Sequence, residues 1–290
     1  LITLAAAVII ARLYLRVKIQ RQRLLTTDFL MCASWVAGVV TASFDIKLAH
    51  MGVLDPHVKA NLDGYNSTSE EIILILKISW AAIIFFFTAC YLCKAALLAL
   101  YFQVFPIFMQ KRRIFLWATV IFTALSYITS VLLLICVCLP IEANWSLDPK
   151  ISCQAYSFTF FYPTTWALHF VGDLLTVFAL PWQIVPELQL KKSVKVALYC
   201  TFLLGLISMV FSVVRIITVQ TALETDMPSL SLIELWSMLD CNIGLLVACL
   251  PSLRPFFRGR GNLYYPYNSK SGAKSNTIRP SEAGFTVIDH

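Results

Sequence analysis

Residues 81–100 read AAIIFFFTACYLCKAALLAL, twenty residues in which Lys94 is the one charged side chain. A helix needs about 20 mostly apolar residues to cross the hydrocarbon core of a bilayer. Leu, Ile, Phe and Ala dominate this stretch on every face, so the sequence leaves no polar face for water. Its reading as a membrane span decides how the rest of the chain is read.

Working outward, comparable runs occupy 1–15, 29–48, 78–105, 114–139, 164–187, 194–219 and 231–252. They predict an all-α polytopic membrane protein with a seven-transmembrane helix bundle. The third run extends back toward Ile72, so its helix is expected to tilt or to emerge from the membrane. The sequence starts at Leu1, inside an apolar run, and the first helix is read as truncated. The expected domain organisation is a seven-helix domain over 1–256 and a disordered cytoplasmic tail over 257–290. The tail is rich in Gly, Ser, Asn and Lys, with few large aliphatic residues.

Composition agrees. The chain is 59% hydrophobic and 13% charged, against roughly 25% charged in soluble domains. Mean hydropathy is +0.75. The net charge of +7 is not a nucleic-acid signal, because the basic residues form short clusters between apolar runs. Seventeen of the 23 Lys and Arg fall in the first, third and fifth connections and the tail. Only Lys47, Lys59 and Lys150 fall in the other connections. Cytoplasmic loops carry the excess of Lys and Arg. The asymmetry places the amino end outside and the tail in the cytoplasm, with the plasma membrane as the default compartment. Sequons at Asn66 and Asn144 lie in connections assigned outside and are candidate glycosylation sites.

Of nine cysteines, most lie inside apolar runs and read as small buried side chains. Cys90 and Cys93 form a C-x-x-C with no second pair, which speaks for packing and not for zinc or redox chemistry. Cys153 in the outer connection is a disulfide candidate with Cys138, and Cys136 is the rival partner.

A charge at the bilayer centre is costly and marks a functional site by default. Lys94, Asp173 and Asp240 lie near the middles of the third, fifth and seventh spans. One cation and two acids at similar depth predict a buried polar cluster, acting as an interhelical lock, a ligand-sensing group or both. Arg215 sits about one turn from the predicted outer end of the sixth span. There it can snorkel to the interface or pair with Glu224 or Asp226. Asp45, Lys77 and Glu234 are expected to reach water at outer helix ends, and His169 reads as a satisfied core histidine. Four histidines without paired spacing, and no G-x-S-x-G, P-loop or dinucleotide fingerprint, predict a protein that is not an enzyme and holds no metal or cofactor.

Ordered residues then point to a family. Cys138-Leu139-Pro140, Trp145, Cys153, Asp173, Leu180-Pro181, Lys195, Gly205, Arg215, Asp226 and Trp236-Ser237 lead into Cys249-Leu250-Pro251-Ser252-Leu253-Arg254-Pro255. Together with Asp28, Lys94, Tyr101 and Phe105, this pattern resembles the fungal rhodopsin-like seven-transmembrane family of filamentous fungi. The resemblance implies a receptor-like protein that senses an unknown extracellular ligand and meets a cytoplasmic partner such as a G protein. A transporter, or a membrane accessory or scaffold of a biosynthetic pathway, is the alternative. The pattern is broken at several places. Thr27 stands where a second acid usually precedes Asp28, and Gln103 where an Arg is usual. Ala96 replaces a frequent Ser, Asp240 replaces a usual Glu, and the turn around Gly52 matches poorly. Retinal is not expected, because 231–252 contains no lysine to carry a Schiff base.

Overall fold

The computed structural model describes residues 2–19, 25–55, 57–58, 62, 65, 67–104, 110–136, 138–148, 160–179, 192–225 and 229–249. At 104, 110–112, 178–179, 192–201 and 222–225 only the backbone is described. The predicted tail, Asn66 and Cys153 lie outside the described residues.

Among the described residues, seven α-helices fall in the seven apolar runs. They are α1 (Ile2–Tyr14), α2 (Thr26–His50), α3 (Ser69–Val104), α4 (Gln110–Cys136), α5 (Tyr162–Asp173), α6 (Lys192–Thr225) and α7 (Leu230–Cys249). No strand occurs among the described residues. Two helices end in wider π-helical turns, α1 at Leu15–Ile19 and α5 at Leu174–Ala179. Helices α2, α3, α4, α6 and α7 are each long and apolar enough to cross a membrane. The molecule is therefore a multi-pass, all-α membrane protein. The α3 helix has 36 residues, about 54 Å at 1.5 Å per residue. That exceeds the ~30 Å hydrocarbon core, as the early start near Ile72 predicts.

Helix α4 shows how the sequence is turned inside out for lipid. Ile114, Trp117, Ile121, Leu125, Ile128 and Leu132 recur at helical spacing and are all at least half exposed. In water such an apolar stripe would be an aggregation liability. The opposite face carries Thr119, Thr123, Ser126 and Ser130, all buried. Thr119, Thr123 and Ser130 donate to the carbonyl four residues back, at 2.8–2.9 Å. Their hydroxyls are thereby satisfied within the helix, and their small size lets neighbouring helices approach.

Helix α3 packs against α2, α4 and α7, while α7 also contacts α1, α2 and α6. Around α3 the core divides along the membrane normal. Toward the predicted cytoplasmic end, Ala96, Leu97, Leu100 and Tyr101 pack with Met31, Leu116, Leu245 and Ala248. Toward the predicted outer end, Phe87 and Tyr91 pack with Leu134 and Phe161. The α2–α3 connection adds Val53, Val58 and Leu62 over Leu48 and Ile75.

Candidate functional site

The four charged residues singled out in the sequence are all drawn into the bundle, where they form two ion pairs. Lys94 Nζ stands 2.7 Å from Asp173 Oδ1 and donates to the His169 carbonyl at 2.6 Å. It also lies 5.7 Å from the centre of the Tyr91 ring. Space for the ammonium comes from Gly172, where a Cβ would lie 3.2 Å from Lys94 Nζ. His169 is one helical turn before Asp173, with Nδ1 3.0 Å from Asp173 Oδ2. It is thus a member of the charged group and not a bystander in the core.

Asp240 pairs with Arg215, not with Lys94. The Arg215 guanidinium lies 3.6 Å from Asp240 Oδ2, and Ser208 donates to Asp240 Oδ1 at 3.0 Å. This corrects the expectation that Arg215 snorkels outward or pairs with Glu224 or Asp226. Helix α6 continues ten residues past Arg215 to Thr225, about 15 Å. A side chain that far from the helix end is held in the bundle, and Arg215 is only 5% exposed.

The pairs tie α3 to α5 and α6 to α7, and a small cavity of about 30 Å³ lies between them. Lys94, Asp173, Ser208 and Asp240 all line it, with Cys90 and Gly205. Such a volume holds about one water molecule. Gly205 is needed for the approach of α6 to α5: a Cβ there would overlap Val177 on the π-helical turn. Trp166 fixes the same two helices, its indole N–H donating to Ser212 O at 2.9 Å and Ser212 Oγ at 3.0 Å.

Above this belt lies a larger cavity of about 230 Å³. Its wall is mostly apolar, with six aromatic residues, Trp80, Phe86, Phe87, Phe161, Tyr162 and Trp166, among aliphatic ones. His169 and Arg215 also face it, as do Glu234 and Ser237 of α7. Since His169 lines both cavities, one residue connects the aromatic chamber to the charged belt. Glu234 faces this chamber, and both Asp45 carboxylate oxygens are buried without a hydrogen-bond partner among the described residues, against the expectation that Asp45 reaches water.

At the opposite end stands a charged group that the sequence reading missed. Asp28 accepts from Arg12 Nε at 2.9 Å, from Arg16 at 2.7 Å and 2.9 Å, and from the Leu25 N–H at 3.0 Å. Arg12 counted in the sequence as a topology charge, yet it is only 2% exposed. A basic residue in an apolar run, facing an acid at the start of the next helix, was the available signal.

The remaining candidates lie at the outer end. Cys138 is buried and disulfide-bonded, whereas Cys136 is exposed and free. Asn144 sits on a short 3-10 turn, Ile141–Asn144. Its amide donates to Ile141 O at 2.9 Å, and it borders the larger cavity.

A fungal rhodopsin domain profile matches residues 11–259, most of the chain. The chain belongs to the fungal rhodopsin domain family. The matched region contains both charged pairs and both cavities, so the site lies wholly within the fungal rhodopsin domain. Comparison with curated proteins and with solved structures gives no significant match.

Proposed function

We propose that this fungal rhodopsin domain protein is a non-enzymatic, receptor-like membrane protein. An extracellular ligand enters the aromatic chamber, and the helices rearrange about the charged belt. A cytoplasmic partner, a G protein by analogy with other seven-helix receptors, reads the change. The charge asymmetry of the loops supports an outward-facing chamber, and the plasma membrane is the default compartment. One observation carries the proposal: His169, which contacts Asp173 of the α3–α5 ion pair, and Arg215, a member of the α6–α7 pair, both line the chamber. A ligand that touches either residue has a direct energetic handle on how those four helices sit. A ligand shifts a conformational equilibrium only through such differential contacts.

The transporter alternative needs an acid free to exchange a proton or cation. The two acids on which that reading rests, Asp173 and Asp240, each face a cation, which favours sensing.

Proximity labelling from the cytoplasmic tail in the native cell tests the proposal. The wild type is compared with the paired variant Lys94→Met/Asp173→Leu at matched membrane abundance. Removing both partners of a buried ion pair is far less disruptive than removing one, so this variant should remain assembled. Enrichment of a G-protein α subunit that changes in the variant is the expected result. Enrichment of transport or biosynthetic proteins, equal in both, overturns it.

A further inference from the structure

The polar groups around the aromatic chamber are not evenly divided between donors and acceptors. The Trp80 indole N–H donates to the Leu134 carbonyl at 3.4 Å, and that of Trp166 to Ser212. The hydroxyls of Thr41, Thr165 and Ser237 donate to backbone carbonyls of their own helices at 2.8–3.1 Å. The Asn144 amide donates to the Ile141 carbonyl. Other donors are out of reach. Arg215 turns its guanidinium to Asp240. Arg215 Nε, the Tyr162 hydroxyl and both His169 ring nitrogens have essentially no accessible surface. Ser79 lines the chamber as well, with a hydroxyl that can act either way. The wall therefore offers an incoming molecule few hydrogen-bond donors.

The same wall carries a strong acceptor. Glu234 lines the chamber and is only partly buried. No cation is paired with it among the described residues. It stands four residues past Leu230, where α7 begins, about 6 Å along the helix. That places it toward the predicted outer end, from which a ligand arrives. The charged group that acts on it is Asp45 of α2, another acid. Lys77, one turn before Trp80, lies over the Trp145 ring at 5.4 Å. The other lining charges have partners, Arg215 in Asp240 and His169 in Asp173. A positive charge beside Glu234 thus sits in the field of two acids. The rings of Trp80, Phe86 and Phe87 on the same wall attract a cation over their faces. An anion would meet both acids and gain few donors in return. The volume of about 230 Å³ corresponds to about eight water molecules at roughly 30 Å³ each, which suits a compact molecule.

We propose that the chamber binds a compact organic cation, a protonated amine on an apolar body, with its ammonium on the Glu234 carboxylate and its body against the aromatic wall. An ammonium has donors and no acceptor, which matches a wall whose own donors are already used or out of reach. The proposal rests on the reading of the chamber as a sensing site and names its ligand class. It also says which helices the ligand joins. Glu234 belongs to α7, whereas Trp80, Phe86 and Phe87 belong to α3.

The test uses the whole chain in nanodiscs of uncharged lipid and three probes built on one skeleton. Phenylpropylamine is the cation, phenylpropanol the neutral analogue and phenylpropionate the anion. Binding is read as a saturable change in tryptophan fluorescence, since Trp80 and Trp166 stand on the wall, with empty nanodiscs as the partition control. The amine should bind at least about tenfold more tightly than the alcohol. Glu234→Gln keeps the shape and removes the charge, and should bring that ratio close to one while leaving the alcohol unchanged. Glu234→Asp should restore much of it. Asp45→Asn changes a residue that does not line the chamber, so the test survives a Glu234 variant that does not assemble. It should weaken the amine several-fold and leave the alcohol unchanged. Tightest binding of the alcohol or of the anion overturns the ligand class while leaving the sensing site in place. So does an amine preference that neither Glu234→Gln nor Asp45→Asn alters. Absence of saturable binding by all three probes overturns both.

Discussion

The two ion pairs of the belt join the same kinds of group at similar depth, yet they are held differently. Lys94 has two acceptors within 2.7 Å and an aromatic ring beside it. Arg215 reaches its acid only at 3.6 Å, and its Nε is unpartnered. The difference shows that burial does not distinguish a lock from a responsive contact. What distinguishes them is how completely the hydrogen-bonding capacity of the cation is used, because a fully satisfied buried network rigidifies its surroundings. On this comparison α3–α5 is the fixed half of the belt and α6–α7 the movable half.

The comparison is most exposed to single substitutions at the two cations. Lys94→Met leaves Asp173 buried against His169 alone, and breaking a buried pair typically costs about 3–5 kcal/mol. Arg215→Met should lose less, about 2 kcal/mol, because Ser208 still donates to Asp240. Denaturant unfolding in detergent micelles measures both. A larger loss at Arg215 than at Lys94 reverses the assignment of fixed and movable halves.

A smaller effect tests how the halves meet. Gly205→Ala forces a Cβ into Val177 and should destabilise the bundle by roughly 1–3 kcal/mol. Val177→Ala in the same chain should return much of that loss. If the double variant is no more stable than Gly205→Ala alone, the contact between α6 and the π-helical turn of α5 is not what requires the glycine.

Which parts of this were legible in the sequence follows from the solvent. Lipid imposes a length and an apolar composition on each span, so the helices could be counted from 81–100 outward. Lys94, Asp173 and Asp240 stood out for the same reason, being charges in apolar runs. Their pairing was not legible, because it depends on how each helix is rotated and where it ends. Arg215 was placed near a helix end only because α6 was read as stopping near residue 219, whereas it runs to Thr225. His169 reads from the sequence as a satisfied core histidine, although its spacing to Asp173 is one turn of a helix. Arg12 and Arg16 were counted as loop charges, and only the folded chain shows Asp28 accepting from both. The chamber has no sequence signature at all, since its wall is drawn from residues as distant as Thr41 and Ser237.

The smallest predicted effect concerns two positions where the chain departs from its family's usual pattern. Thr27 stands in place of an acid and Gln103 in place of an arginine. In the fold they meet, with Gln103 Nε2 donating to Thr27 Oγ1 at 2.8 Å. A neutral hydrogen bond thus joins α2 to α3 at two positions where the sequence departs from the pattern it resembles. They sit beside the Asp28 group at the predicted cytoplasmic end. Thr27 is fully buried, so Thr27→Asp alone introduces a carboxylate next to Asp28 and should destabilise. Gln103→Arg alone adds a cation near Arg12 and Arg16 with no further carboxylate to meet it. The double variant should be more stable than the sum of the single losses implies, with a coupling of about 1 kcal/mol. That coupling, measured by a double-mutant cycle on unfolding in micelles, is the signature of a swapped pair. Additive losses would mean that the two positions changed independently and that the hydrogen bond between them contributes little to joining α2 and α3.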